Sequence, residues 1–174
     1  SIILILGIGY LGQHFFLAPP TMISIQANNE VKEVLLPDGS IVSLNHYAEF
    51  SYPDKFSRTT RKVSLKGEAF FEVEGNPHKP FLVSIEEKAT VEVLGTSFNI
   101  RSEQAGEDIS VLVMEGRVRF SAGQGEYPGR GEKPGITLVK DEQATMRKGQ
   151  IQREEIVDIN MLSWKTGVLR FNQS

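Results

Sequence analysis

From Val63 to Glu74 the chain keeps a strict period of two. Val63, Leu65, Gly67, Ala69, Phe71 and Val73 share one parity; Ser64, Lys66, Glu68, Phe70, Glu72 and Glu74 share the other. Side chains alternate across a β-strand, so this spacing predicts one long strand with a dry face and a mostly wet face. Gly75-Asn76-Pro77-His78-Lys79-Pro80 interrupts it. Two prolines that cannot donate to a ladder, beside a glycine, mark a turn or an edge. The alternation then resumes at Phe81, Val83 and Ile85.

The same period recurs on both sides. Thr21 to Asn29 is polar-leaning, suited to a spacer or a first edge strand. Pro37-Asp38-Gly39 is a hairpin turn: proline presets φ, aspartate bonds its own backbone, and glycine takes the positive φ. Strands around Val34/Leu36 and Val42/Leu44 flank it. That turn chemistry accounts for Asp38 and Ser40 without an acid–nucleophile pair. Ala48 to Arg61 reads as a connection broken at Tyr52-Pro53-Asp54. Arg58, Arg61 and Lys62 read as a solvated basic cluster.

In VEVLGTSFNI, Val91 to Ile100, the parity changes around Gly95, as at a bulge or barrel corner. Gly95-Thr96-Ser97 is no nucleophile elbow, because Asn99 stands where that motif needs glycine. ISVLVMEGRVRF, Ile109 to Phe120, reads as a hairpin turning at Glu115-Gly116. Apart from Ser110, its first strand is apolar on both faces, and Val118 and Phe120 point inward on the second. Ser121 to Gly135 holds five glycines and two prolines, a long mobile loop or insertion. Ile136 to Ile156 reads as two strands, the second being Gln150 to Ile156. Asp158 to Thr166 suits a short helix capped by Asp158. Trp164, the only tryptophan, suits core anchoring, and Val168 to Phe171 begins another strand. The expectation is an all-β fold of about ten to twelve short strands.

The chemistry classes narrow quickly. A net charge of −3 offers no basic footprint for nucleic acid. With no cysteine, thiolate metal sites, cysteine nucleophiles and disulfides are all absent. His14, His46 and His78 lie far apart in sequence, without metal-ligand spacing. Glu68 and Glu72 would sit about 13 Å apart on one strand at ~3.3 Å per residue, beyond the roughly 5 to 9.5 Å that glycosidase pairs use. They read as solvated surface. No catalytic, cofactor or metal residue is assigned. Phe70, apolar on an otherwise polar face, is a weak candidate for partner contact, set against burial under a loop or second sheet.

The start of the chain differs from the rest. Ser1 to Ala18 carries no formal charge, and the first charged residue is Glu30. Eighteen helical residues span roughly 27 Å, near the ~30 Å hydrocarbon core, and Pro19-Pro20 would end such a helix. GIGYLG, Gly7 to Gly12, matches G-x-G-x-x-G but lacks the alternating β/α context of a dinucleotide fold.

Several phrases together carry a resemblance: LPDGSIVSLN at Leu36–Asn45, YPDKF at Tyr52–Phe56, RKVSLKGEAFFEV at Arg61–Val73 and PFLV at Pro80–Val83. VEVLGTSFNI at Val91–Ile100, VLVMEGRV at Val111–Val118 and the terminal WKTGVLRF complete the set. In this order they resemble the extracytoplasmic part of FecR-type anti-sigma regulators of the Bacteroidetes type. The resemblance implies a jelly-roll-like or curled two-sheet β-sandwich at 31–160, preceded by part of a transmembrane helix at 1–18 and a linker at 19–30. Residues 161–174 would begin the connection to a further domain.

It also implies a sensor, not an enzyme. The signalling domain of an outer-membrane TonB-dependent transporter would contact this region in the periplasm. The signal would cross the inner membrane to an extracytoplasmic-function (ECF) sigma factor, which binds a cytoplasmic segment outside this chain. No cofactor is implied. The competing expectation is a carbohydrate-binding or glycan-processing β-sandwich, which would need an aromatic-lined cleft and a close carboxylate pair.

Overall fold

The computed structural model describes residues 19–103, 108–123, 135–155 and 162–166. Among these residues the chain forms fourteen strands and one single-turn helix. One sheet, A, runs in the order β1 (Met22–Gln26), β4 (Glu49–Pro53), β5 (Arg61–Lys66), β7 (Phe81–Ile85), β8 (Ala89–Val93), β11 (Arg117–Ala122), β12 (Gly135–Val139). The facing sheet, B, runs β14 (Gln150–Glu154), β13 (Gln143–Arg147), β10 (Asp108–Glu115), β9 (Thr96–Glu103), β6 (Glu68–Val73), β3 (Ile41–Leu44), β2 (Lys32–Leu35). The helix, α1, is Ser163–Thr166. The two-sheet all-β architecture is as expected, with more and shorter strands.

The inward parities of both sheets meet in one hydrophobic cluster. Phe71 of β6 stacks on Phe98 of β9, with centroids 4.9 Å apart and planes at 5°. It meets Phe50 and Phe81 of sheet A edge-on at 6.2 and 6.4 Å. The rings thus bridge the two layers.

The chain moves between sheets at its corners, which explains where the expected elements differ. The single strand expected at Val63–Val73 is two, β5 in sheet A and β6 in sheet B. The alternation is unbroken because both inner faces look onto the same core. Gly67 makes the corner at φ 87°, where a Cβ would lie 3.1 Å from Ala48 Cα. The hairpin expected at Ile109–Phe120 is also a corner: β10 pairs with β9 and β13, and β11 with β8 and β12. Gly95 does mark a barrel-like corner. It packs so closely on the next corner that a Cβ there would lie 2.6 Å from Gly75 Cα.

Two smaller expectations also change, and one of two alternatives for a third segment is met. Ala48–Arg61 contains β4, because Phe50 and Tyr52 alternate inward and Pro53 falls where the strand ends. Ile136–Ile156 holds parts of three strands, since the chain leaves sheet A after Val139 and re-enters sheet B at Gln143. Thr21–Asn29 supplies the edge strand β1, paired to β4 from Met22↔Pro53 to Gln26↔Glu49.

Arg61 is not part of a solvated cluster. It is 1% exposed, donates to Asp38 Oδ2 at 2.7 Å and to the carbonyls of Glu74 (2.8 Å) and Lys79 (2.9 Å), and lies over the Phe81 ring. The Pro37-Asp38-Gly39 turn forms as expected, with Gly39 N–H donating to Leu36 O at 3.0 Å. Asp38 therefore holds both the turn and a buried cation. Ser40 Oγ donates to Asp38 Oδ2 at 2.8 Å and accepts from Glu74 N–H at 3.0 Å, which makes Ser40 a structural hydroxyl.

Each lateral side of the sandwich is bridged by a cation. Lys32 Nζ on β2 donates to Gln26 O on β1 at 3.0 Å, and Arg153 Nη2 on β14 donates to Thr137 O on β12 at 2.6 Å. Charged side chains at these positions blunt edges that would otherwise invite further pairing. The loop expected at Ser121–Gly135 is shorter at both ends, since β11 runs to Ala122 and β12 begins at Gly135; its residues 124–134, the candidate membrane segment 1–18, the Asp158 cap and the strand expected at Val168–Phe171 lie outside the described residues. Among the described residues no helix is long and apolar enough to cross a membrane.

Candidate interaction surface

The outer faces of the two sheets differ. On sheet A one row in register runs Ser24–Ser51–Ser64–Ser84–Thr90–Ser121–Gly135, one small residue from every strand. On sheet B the central outward row is Ser43–Phe70–Asn99–Leu112–Gln143–Glu154. Its members point away from the core by parity, yet Ser43 through Gln143 are buried.

Part of the cover is α1. Trp164 Nε1 donates to Glu68 Oε1 at 3.0 Å. Glu68 also accepts from Asn45 Nδ2 at 2.8 Å and from Asn99 Nδ2 at 2.9 Å. One carboxylate thus gathers donors from the end of β3, from β9 and from α1. Lys165 Nζ lies 3.8 Å from the Phe70 ring centroid and donates to Glu72 Oε2 at 2.6 Å. An ammonium over an aromatic face is attracted by the ring quadrupole, so Phe70 and the two glutamates form one docking strip for a tryptophan and a lysine.

At the far side of this face, Thr145 Oγ1 donates to Glu154 Oε2 at 2.7 Å, and Arg147 Nη1 also bonds Glu154. The Thr145 hydroxyl first, then the Arg147 guanidinium, hold the Glu154 carboxyl below its ordinary range against a smaller opposing desolvation. Arg147 is shifted upward by its bonds to Glu154 and Asp108.

Comparison with known proteins now decides the family. The FecR protein model matches residues 23–119. This chain belongs to the FecR family. Two crystal structures of a candidate anti-sigma factor from Parabacteroides distasonis ATCC 8503 are similar to it, each at 34% identity. The 2.50 Å structure superposes with a TM-score of 0.72, covering 87% of this chain and 68% of that one. The 1.65 Å structure gives 0.71, covering 86% and 68%. No curated protein matches the chain.

In this FecR chain the residues singled out from sequence fall into place unequally. Phe70 is covered by Lys165, so a partner could reach its ring only where α1 is absent. Glu68, expected as a solvated carboxylate, is engaged by three donors; Glu72 is exposed as expected and accepts from Lys165. Trp164 is not in the core; it docks on the outer face, half-buried, with its N–H satisfied as buried indoles require. Among the described residues no group of three histidine or acidic side chains could hold a metal. The out-of-phase Phe70 was the one sequence signal of this surface. Asn45 and Asn99 gave none, because an asparagine in a strand or at its end has no pattern to violate.

Proposed function

We propose that this FecR chain is the periplasmic sensor and transducer region of a single-pass anti-sigma regulator, anchored in the inner membrane through residues 1–18. It receives a signal from the signalling domain of an outer-membrane TonB-dependent transporter. It relays that signal to an extracytoplasmic-function sigma factor held by a cytoplasmic segment. The work is done by protein contact, without catalysis.

The observation that carries this reading is the family match over residues 23–119, joined by structural neighbours described as anti-sigma factors. The geometry agrees with contact work. Glu68 is committed to Asn45, Asn99 and Trp164, and Glu72 to Lys165, so neither carboxylate stands ready as an acid or base.

A reporter driven by the partner sigma factor tests the reading. In cells carrying the full-length regulator, inducing ligand raises the reporter; with residues 31–160 deleted, the reporter no longer responds to ligand. An unchanged ligand response in the deletion strain contradicts it.

A further inference from the structure

The outward row of sheet B has an unusual balance of cover and defect. Phe70, Asn99, Leu112 and Gln143 are 7, 1, 5 and 8% exposed although each points away from the core. Two acceptors on this dry strip, Asn99 Oδ1 and Gln143 Oε1, have no hydrogen-bond partner. The Asn99 orientation follows from its chemistry: facing the Glu68 carboxylate, the amide must present its NH₂. A buried acceptor without a donor weakens the covered state. The described part of the cover is slight. A single helical turn does not stand alone in water, and among the described residues α1 meets the sheet through the indole bond to Glu68, the ammonium on Phe70, and an ion pair in which Glu72 is about half exposed.

We infer that the outer face of sheet B is a releasable docking surface that takes a segment pairing an indole N–H with a lysine, and that its resident occupant is this chain's own α1. Charge complementarity selects that occupant. Glu68 and Glu72 flank Phe70 along one strand, and Trp164 and Lys165 satisfy all three at once. The surface works as a latch: while α1 is seated, the path of the chain leaving the sandwich is fixed to β6, and the Phe70 ring is shut. When α1 lifts, both are freed together. This inference rests on the contacts within the chain and stands or falls apart from the proposed relay.

Trp164 is the only tryptophan, so its fluorescence reads the latch directly in the whole chain. Lys165→Gln, which leaves the buried Phe70 ring in place, and Glu72→Gln are each expected to raise the released fraction at least about twofold, as loss of a cation–π contact or an ion pair would. The readouts are a red-shifted emission and stronger acrylamide quenching, with the sheet's circular dichroism and melting unchanged. Added salt should move wild type the same way. Unchanged quenching in both variants overturns the inference, as does quenching that rises only together with melting of the sheets.

Hydrogen exchange on the unmodified protein gives an answer even where a variant folds poorly. Amides at 162–166 exchanging far faster than those of β6 support the latch, because they report a local opening. Equal protection of the two overturns it. Quenching that falls as protein concentration rises would place α1 on a second copy and overturn the assignment within one chain.

Discussion

Asp38 and Arg61, 23 residues apart in sequence, join the two layers of the sandwich: the Arg61 guanidinium donates to Asp38 Oδ2 at 2.7 Å with its side chain almost wholly buried. Asp38 sits in the β2–β3 turn of sheet B and Arg61 opens β5 of sheet A. A charge removed from water is tolerable only while its partner remains. Asp38→Ala is therefore expected to destabilise the fold by about 3–5 kcal/mol in denaturant titration. Replacing both residues by leucine or methionine should cost clearly less than the single change. Equal losses would mean the pair is incidental.

Gly95 and Gly75 test the corner packing. A Cβ on Gly95 would meet Gly75 Cα at 2.6 Å, whereas a Cβ on Gly75 would meet nothing within 4 Å. Gly95→Ala should cost about 1–3 kcal/mol, as overpacking does. Gly75→Ala should stay within about 0.5 kcal/mol. Thermal melts of the two variants side by side decide it.

Phe71 is the ring shared between layers. Truncation removes a stacked contact to Phe98 and edge contacts to Phe50 and Phe81. Phe71→Ala should lose about 3–5 kcal/mol, read as a lower urea midpoint with an unchanged slope. A loss under about 1 kcal/mol would show that the core recloses around the gap, contrary to close packing.

Glu154 makes stability depend on pH. Its carboxyl is held below the ordinary range, chiefly by the Thr145 hydroxyl and then by Arg147. The folded state therefore binds this proton less readily than the unfolded chain does. The contribution is complete above the unfolded carboxylate's range and is lost as pH falls through the folded value. Wild type should lose more of its urea midpoint between neutral pH and the acid limb than Glu154→Gln does. Parallel acid limbs would contradict this.

How much of this was legible in the sequence depends on whether a feature is local. The period of two named the inner residues correctly across Val63–Val73, yet it could not show the change of sheet at Gly67, since both inner faces share one core. The turn at Pro37-Asp38-Gly39 was legible because its chemistry lies within four residues. The Arg61–Asp38 pair was not, because a buried arginine is exceptional and its partner is distant in sequence. The row from Ser24 to Gly135 on sheet A exists only through register. On sheet B, Phe70 stands out against its polar neighbours, but nothing local shows that Lys165 returns to cover it and Trp164 to bond Glu68 beside it.

The central claim is that this sandwich acts by being touched, and calorimetry tests it most directly. The full-length regulator, titrated with the purified signalling domain of the TonB-dependent transporter proposed as its partner, should give saturable binding that disappears when residues 31–160 are deleted. No heat with that domain, together with saturable binding of an oligosaccharide, would contradict the account.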